Sequence, residues 1–102
     1  MKSAMAERIE RETRSHLVVI YMNGTAAFPL CPFSARAVNV FSKLGIAFKD
    51  VNIADDSELR QALRDYADWP CFPQVFIQGH FIGGADIVQE MLETGDLQEY
   101  FT

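Results

Sequence analysis

Gln74-Val75-Phe76-Ile77-Gln78-Gly79-His80-Phe81-Ile82 decides the architecture. Two short apolar runs flank the dipeptide Gln78-Gly79, and a connection of two residues joins antiparallel strands. It is far too short for the crossover that a parallel pair needs. Upstream, Leu17-Val18-Val19-Ile20-Tyr21-Met22 is continuously apolar and β-branched, as a central strand covered on both faces requires, and Asn23-Gly24 ends it. Phe33, Ala37, Val40, Phe41 and Leu44 then recur at helical spacing until Gly45, with the helix starting near Cys31 and Pro32. Ile46 to Val51 alternates as a second strand. Asp55-x-x-Glu58 reads as a capping box for a helix with Leu59, Leu63 and Tyr66 on its apolar side. After the hairpin, Gly83-Gly84 leads into an amphipathic helix with Ile87, Met91 and Leu92 inward, and Leu97 to Phe101 forms a terminal turn. Met5 to Arg14 is a mostly polar helical flank at the start. The order β-α-β-α-β-β-α predicts one α/β domain over residues 1–102, with a four-stranded mixed sheet and helices on both faces. A doubly wound parallel sheet is excluded by the tight hairpin.

Composition agrees with one compact core. The 102 residues are 49% hydrophobic and 23% charged, with 4 Pro and 6 Gly, which is neither a disordered nor a two-domain chain. The net charge of -5 and the absence of a Lys/Arg run argue against a nucleic-acid partner. The longest apolar run is too short to cross a bilayer, and the polar first residues lack the apolar stretch of a secretory signal, so a reducing cytoplasm is expected. Two cysteines make neither a disulfide-stapled scaffold nor a four-thiolate metal site.

Three local strings carry candidate chemistry. In Pro29-Leu30-Cys31-Pro32-Phe33-Ser34 the second proline suits a first helical turn, which places Cys31 at the helix N-terminus. Unpaired N–H groups there stabilise a thiolate, so Cys31 is a candidate nucleophile, whereas a buried, inert cysteine is the plainer alternative. In Trp69-Pro70-Cys71-Phe72-Pro73-Gln74, Pro73 at a strand entrance is an edge, bulge or cis-peptide candidate, or an ordinary turn proline. Cys71 is either a core residue or a resolving partner for Cys31. In Gly83-Gly84-Ala85-Asp86, Asp86 caps the last helix or accepts from a ligand amine.

These strings, in this order, resemble the glutaredoxins, small proteins of the thioredoxin-like fold, and among them the monothiol branch with a Cys-Gly-Phe-Ser active site. The likeness runs from about Glu7 through Tyr21-Met22-Asn23-Gly24-Thr25, Phe33-Ser34, Leu59-Arg60-Gln61, Trp69-Pro70, Phe72-Pro73-Gln74 and Gly83-Gly84-Ala85-Asp86-Ile87. The resemblance implies that Cys31 takes up glutathione as a mixed disulfide and that Pro73 is cis. It implies that the Phe72 backbone pairs with the cysteinyl part of glutathione, that Ala85 and Asp86 hold the γ-glutamyl end, and that Arg60 with Gln61 faces the glycyl carboxylate. Phe33 would line the wall beside the sulfur.

Three positions depart from the family pattern. Asn23 stands where lysine is usual, Pro32 where the monothiol branch has glycine, and Cys71 where threonine is usual. Loss of the lysine is expected to raise the Cys31 pKa unless Arg36 or Arg60 compensates. Two functions follow from the resemblance. One is glutathione-dependent thiol–disulfide exchange on glutathionylated proteins, a one-cysteine cycle because Ser34 cannot close an intramolecular disulfide. The other is a [2Fe-2S] cluster carrier, a homodimer with Cys31 of each chain and two glutathione sulfurs as ligands, serving iron-sulfur client proteins with weak oxidoreductase activity at most. A non-catalytic redox adaptor is the third possibility.

Overall fold

A computed structural model describes residues 3–102, so the first two residues of the predicted domain lie outside it. Helix α1 (Ala4–Ser15) is followed by strand β1 (Val18–Met22), helix α2 (Pro32–Leu44), strand β2 (Lys49–Asn52), helix α3 (Ser57–Ala67), the hairpin β3 (Gln74–Ile77) and β4 (His80–Gly83), and helix α4 (Ala85–Thr94). A 3-10 turn, Gln98–Phe101, closes the chain. The sheet order is β2-β1-β3-β4. β1 and β2 are parallel across the α2 crossover, and β1–β3 and β3–β4 are antiparallel, giving the mixed sheet of a thioredoxin-like fold. Gln78 and Gly79 both have positive φ, 54° and 83°, as a two-residue type I′ connection demands.

All five residues of β1 are buried, and alternation divides them between two cores. Val18, Ile20 and Met22 join Val75 and Ile77 under α2 and α4, against Ala37, Val40, Phe41 and Val88. Val19 and Tyr21 join Phe76 on the other face under α1 and α3, against Ile9, Leu59 and Leu63. Helices therefore cover both faces. Phe76 is the hub of the second core, 5.6 Å from the Tyr21 ring centroid and 5.5 Å from that of Phe81. Burial of such a side chain contributes about 1.5–3 kcal/mol. The Tyr21 hydroxyl donates to Glu12 at 2.7 Å, which docks α1. Burial first, and that hydrogen bond second, push the phenol pKa upward, so Tyr21 stays neutral. The N-terminal flank thus supplies Ile9 and Thr13 to the interior.

Four local expectations shift. The cap of α3 is Asp56, whose carboxylate accepts from the Leu59 N–H at 3.0 Å, not the box beginning at Asp55. β2 starts at Lys49, because pairing with β1 begins at the register Val19↔Lys49, although Ile46 and Phe48 still pack on the core. Tyr66 lies at the edge of the second core, 37% exposed. Phe33 and Ile87 point away from the core and are more than a third exposed. Both line a cavity instead.

Candidate functional site

The site forms where the C-terminal end of β1, the start of α2, the loop before β3 and the start of α4 converge. Cys31 is the N-cap of α2, with Pro32 at the first helical position, and its sulfur accepts from the Ser34 N–H at 3.3 Å. Proline there lacks only an N–H that the helix leaves unpaired. The sulfur lies 3.2 Å from the Ser34 hydroxyl, to which the thiol donates and which donates in turn to the thiolate, and the Asn23 side-chain amide donates to the sulfur at 3.9 Å. Ser34 is fully buried and is itself fixed by the Asn23 N–H, which donates to its oxygen at 3.1 Å. Partial burial pushes the Cys31 pKa up. Hydrogen bonds from the Ser34 side chain and backbone, then from Asn23 and the Phe33 backbone, outweigh it, and the pKa falls below the ordinary thiol value. Asn23 therefore contributes a hydrogen-bond donor at the place where lysine would contribute a charge. Replacing Ser34 by alanine removes the largest of the lowering contacts. The pH midpoint of Cys31 alkylation is expected to move upward, with several-fold slower reaction below neutral pH, and an unchanged midpoint in iodoacetamide kinetics would refute this role.

Phe33, at the second position of α2, forms one wall of a cavity of about 490 Å3. The facing walls are Trp69, Cys71, Phe72 and Pro73 from the loop before β3, and Ala85, Asp86 and Ile87 from α4. That volume lies within the range of small-molecule sites. The Phe72–Pro73 peptide is cis. Among the described residues no protein group hydrogen-bonds the Phe72 backbone, leaving an N–H and a C=O that can pair with an extended ligand. The loop is held from behind: Arg64 Nε donates to Pro70 O at 3.2 Å, and the buried Gln74 amide donates to Trp69 O at 3.1 Å. The N-cap of α4 is Gly84, with no side chain to occupy the first-turn amides.

The structure thus brings Phe33, Phe72, Pro73, Ala85 and Asp86 together around one cavity. It does not bring Arg60 and Gln61 to that wall. Arg60 Nη1 donates to Ile53 O at 3.0 Å and Ala54 O at 2.6 Å, and the Gln61 amide donates to Asp65 at 3.1 Å. Cys71 is an exposed free thiol on the cavity wall, and Cys31 is the second free cysteine. Trp69 and Ile87 were not expected as walls. The signal for Trp69 is a large aromatic beside a proline in an otherwise polar loop, and for Ile87 a position one turn from the glycine pair.

The glutaredoxin family model matches residues 18–82. The chain belongs to the glutaredoxin family. It is 44% identical over 95 residues to "Monothiol glutaredoxin-S14, chloroplastic" of Arabidopsis thaliana, covering 93% of this chain and 55% of that protein. It is 42% identical over 91 residues to "Probable monothiol glutaredoxin 2" of Rickettsia conorii, covering 89% of this chain and 85% of that one. The solution structure of reduced poplar apo GrxS14 superposes with a TM-score of 0.84 at 43% identity, over 94% of this chain and 88% of that one. These relatives make the chain a monothiol glutaredoxin-like protein, of a family that uses glutathione. Among the described residues, no helix is long and apolar enough to cross a membrane.

Proposed function

We propose that this glutaredoxin removes glutathione from protein mixed disulfides through Cys31, in a reducing cytoplasm. The observation that carries this reading is the partly exposed Cys31 thiol with a lowered pKa, two positions before Phe33, which walls a ligand-sized cavity. In the first step the Cys31 thiolate attacks the glutathione sulfur of the mixed disulfide. The Cys31–glutathione disulfide forms, the original disulfide breaks, and the client leaves as a thiolate that takes a proton from water. In the second step a glutathione thiolate attacks the same glutathione sulfur, releasing glutathione disulfide and restoring the Cys31 thiolate. One cysteine suffices, since Ser34 carries no thiol.

Phe72 offers its free backbone to the cysteinyl residue as an added strand, Pro73 and Phe33 flank it, and Ala85 with Asp86 receives the γ-glutamyl end. Neither Arg60 nor Gln61 lines the cavity, but Arg60 has guanidinium donors beyond its two loop contacts, and a glycyl carboxylate that extends past the wall meets it with Gln61 alongside. A [2Fe-2S] cluster would take Cys31 as its protein ligand. The other ligands in that reading are Cys31 of a second copy and two glutathione sulfurs, and exchange is preferred because the lowered thiol pKa and the ligand-sized cavity beside it serve the transfer directly.

Intact mass and peptide mapping after treatment with glutathione disulfide test the reading. One glutathione adduct on Cys31, reversed by reduced glutathione, is expected. A Cys31–Cys71 bridge without adduct, modification confined to Cys71, or no reaction would overturn the one-cysteine cycle.

A further inference from the structure

Arg36 reaches from α2 to α4, where its Nη1 meets Asp86 Oδ1 at 2.6 Å across fifty residues of sequence. Its guanidinium also lies over the Phe33 ring, 5.7 Å from the centroid. Phe33 and Asp86 both line the cavity, so the two contacts hold the guanidinium just behind its wall, although Arg36 is not itself a lining residue. The side chains are 46% and 77% exposed, and a surface pair of this kind adds little to stability. The pair is therefore not explained by the fold. Asp86 Oδ2 and the remaining Arg36 donors have no hydrogen-bond partner among the described residues. A carboxylate and a guanidinium side by side, each with free capacity, form the electrostatic complement of a zwitterionic α-amino acid. The ammonium goes to the carboxylate, and the carboxylate to the planar, multidentate guanidinium.

We propose that Arg36 is a specificity-determining residue that, with Asp86, reads the α-amino acid end of a γ-glutamyl ligand. Arg36 takes the α-carboxylate while Asp86 takes the α-ammonium. The internal ion pair keeps both groups in position in the free protein, so little side-chain ordering remains when the ligand arrives. The inference rests on the glutathione reading and adds a second charged group to it.

The test uses a reporter peptide disulfide-linked to glutathione, to 4-aminobutanoyl-Cys-Gly, which lacks the α-carboxylate, or to glutaryl-Cys-Gly, which lacks the α-ammonium. The full-length protein is expected to lose about tenfold in kcat/KM with either truncated substrate. Arg36→Gln should lose about tenfold with the glutathione substrate, mainly through KM, and suffer no further loss when the α-carboxylate is missing. It should keep the full penalty when the ammonium is missing. Arg36→Lys should recover part of the loss, and the thermal midpoint and the pH profile of Cys31 should stay where they are. Equal penalties for both truncations in Arg36→Gln would overturn the assignment, as would faster turnover, which would mean that the ion pair blocks the site. If the unaltered protein turns over none of the three substrates, the glutathione reading itself falls. If it turns over the glutathione substrate but Arg36→Gln shows no selective loss, only the role of Arg36 falls.

Discussion

Cys31→Ser is expected to lower kcat/KM for deglutathionylation by about a thousandfold or more, because it removes the atom to which glutathione is transferred. The loss is not one of folding. Cys31 is the N-cap of α2, serine is among the preferred N-cap residues, and its hydroxyl can accept from the Ser34 N–H as the sulfur does. The denaturation midpoint should therefore stay level or rise while activity disappears. In the unaltered protein the rate follows the thiolate fraction. The folded-state pKa of Cys31 lies below the ordinary thiol value, so the rate should rise with pH and level off earlier than for an unperturbed cysteine. The same shift contributes stability that is present above the unfolded thiol pKa of about 8.5 and is lost as pH falls through the folded value. A stopped-flow pH profile with an ordinary thiol midpoint would remove the chemical basis assigned to Ser34 and Asn23. Retained turnover in Cys31→Ser would remove Cys31 from the reaction altogether.

The parts of the fold legible in the sequence were those with one periodicity and one punctuation mark. The Gln78-Gly79 turn allowed only an antiparallel pairing, and the continuous apolar run ending at Met22 allowed only a central strand. Boundaries failed where two residues offered the same chemistry or where pairing, not composition, sets the end. Asp55 and Asp56 are adjacent and either suits a cap, and only the actual path of the chain selects Asp56. Ile46 and Phe48 are apolar because they pack on the core, yet they precede the first residue that β1 can pair. Helical periodicity also cannot separate a core stripe from a cavity wall, which is why Phe33 and Ile87 look inward in sequence and line the cavity in the structure. The cysteine, the residues flanking Pro73 and the start of the last helix were legible because each sits at an element end. Arg36–Asp86 and Arg64–Pro70 were not, since a contact made by a long side chain across the fold leaves no pattern along the chain.

Gly24→Ala is expected to cost about 2–5 kcal/mol of stability and to disturb the thiol at the same time. Gly24 follows β1 with φ of 88°, a conformation that costs an L-residue about 1–2 kcal/mol. A Cβ there would also fall 2.5 Å from the Phe28 carbonyl oxygen, 2.7 Å from the Leu30 nitrogen and 2.8 Å from Leu30 Cγ. Two of these atoms are backbone, so relief requires moving the loop, at about 1–3 kcal/mol more. The loop has little slack. Gly24 N donates to Asn52 at 3.0 Å, the Ala26 N–H to Asp50 at 2.8 Å, and the Leu30 N–H to Asn23 O at 2.9 Å, one residue before Cys31. Displacing Leu30 shifts the neighbouring Cys31 away from its donors, and displacing Asn23 moves one of those donors, so the pH midpoint of alkylation should rise along with the loss in urea stability. Gly24→Asn separates the two causes, because asparagine tolerates the left-handed backbone but still carries a Cβ. If steric exclusion dominates, the asparagine variant is nearly as damaged as the alanine one. Recovery of most of the stability in Gly24→Asn would instead assign the cost to φ, and an alanine variant with unaltered stability and an unaltered pH profile would mean that the loop before Cys31 yields without affecting the sulfur.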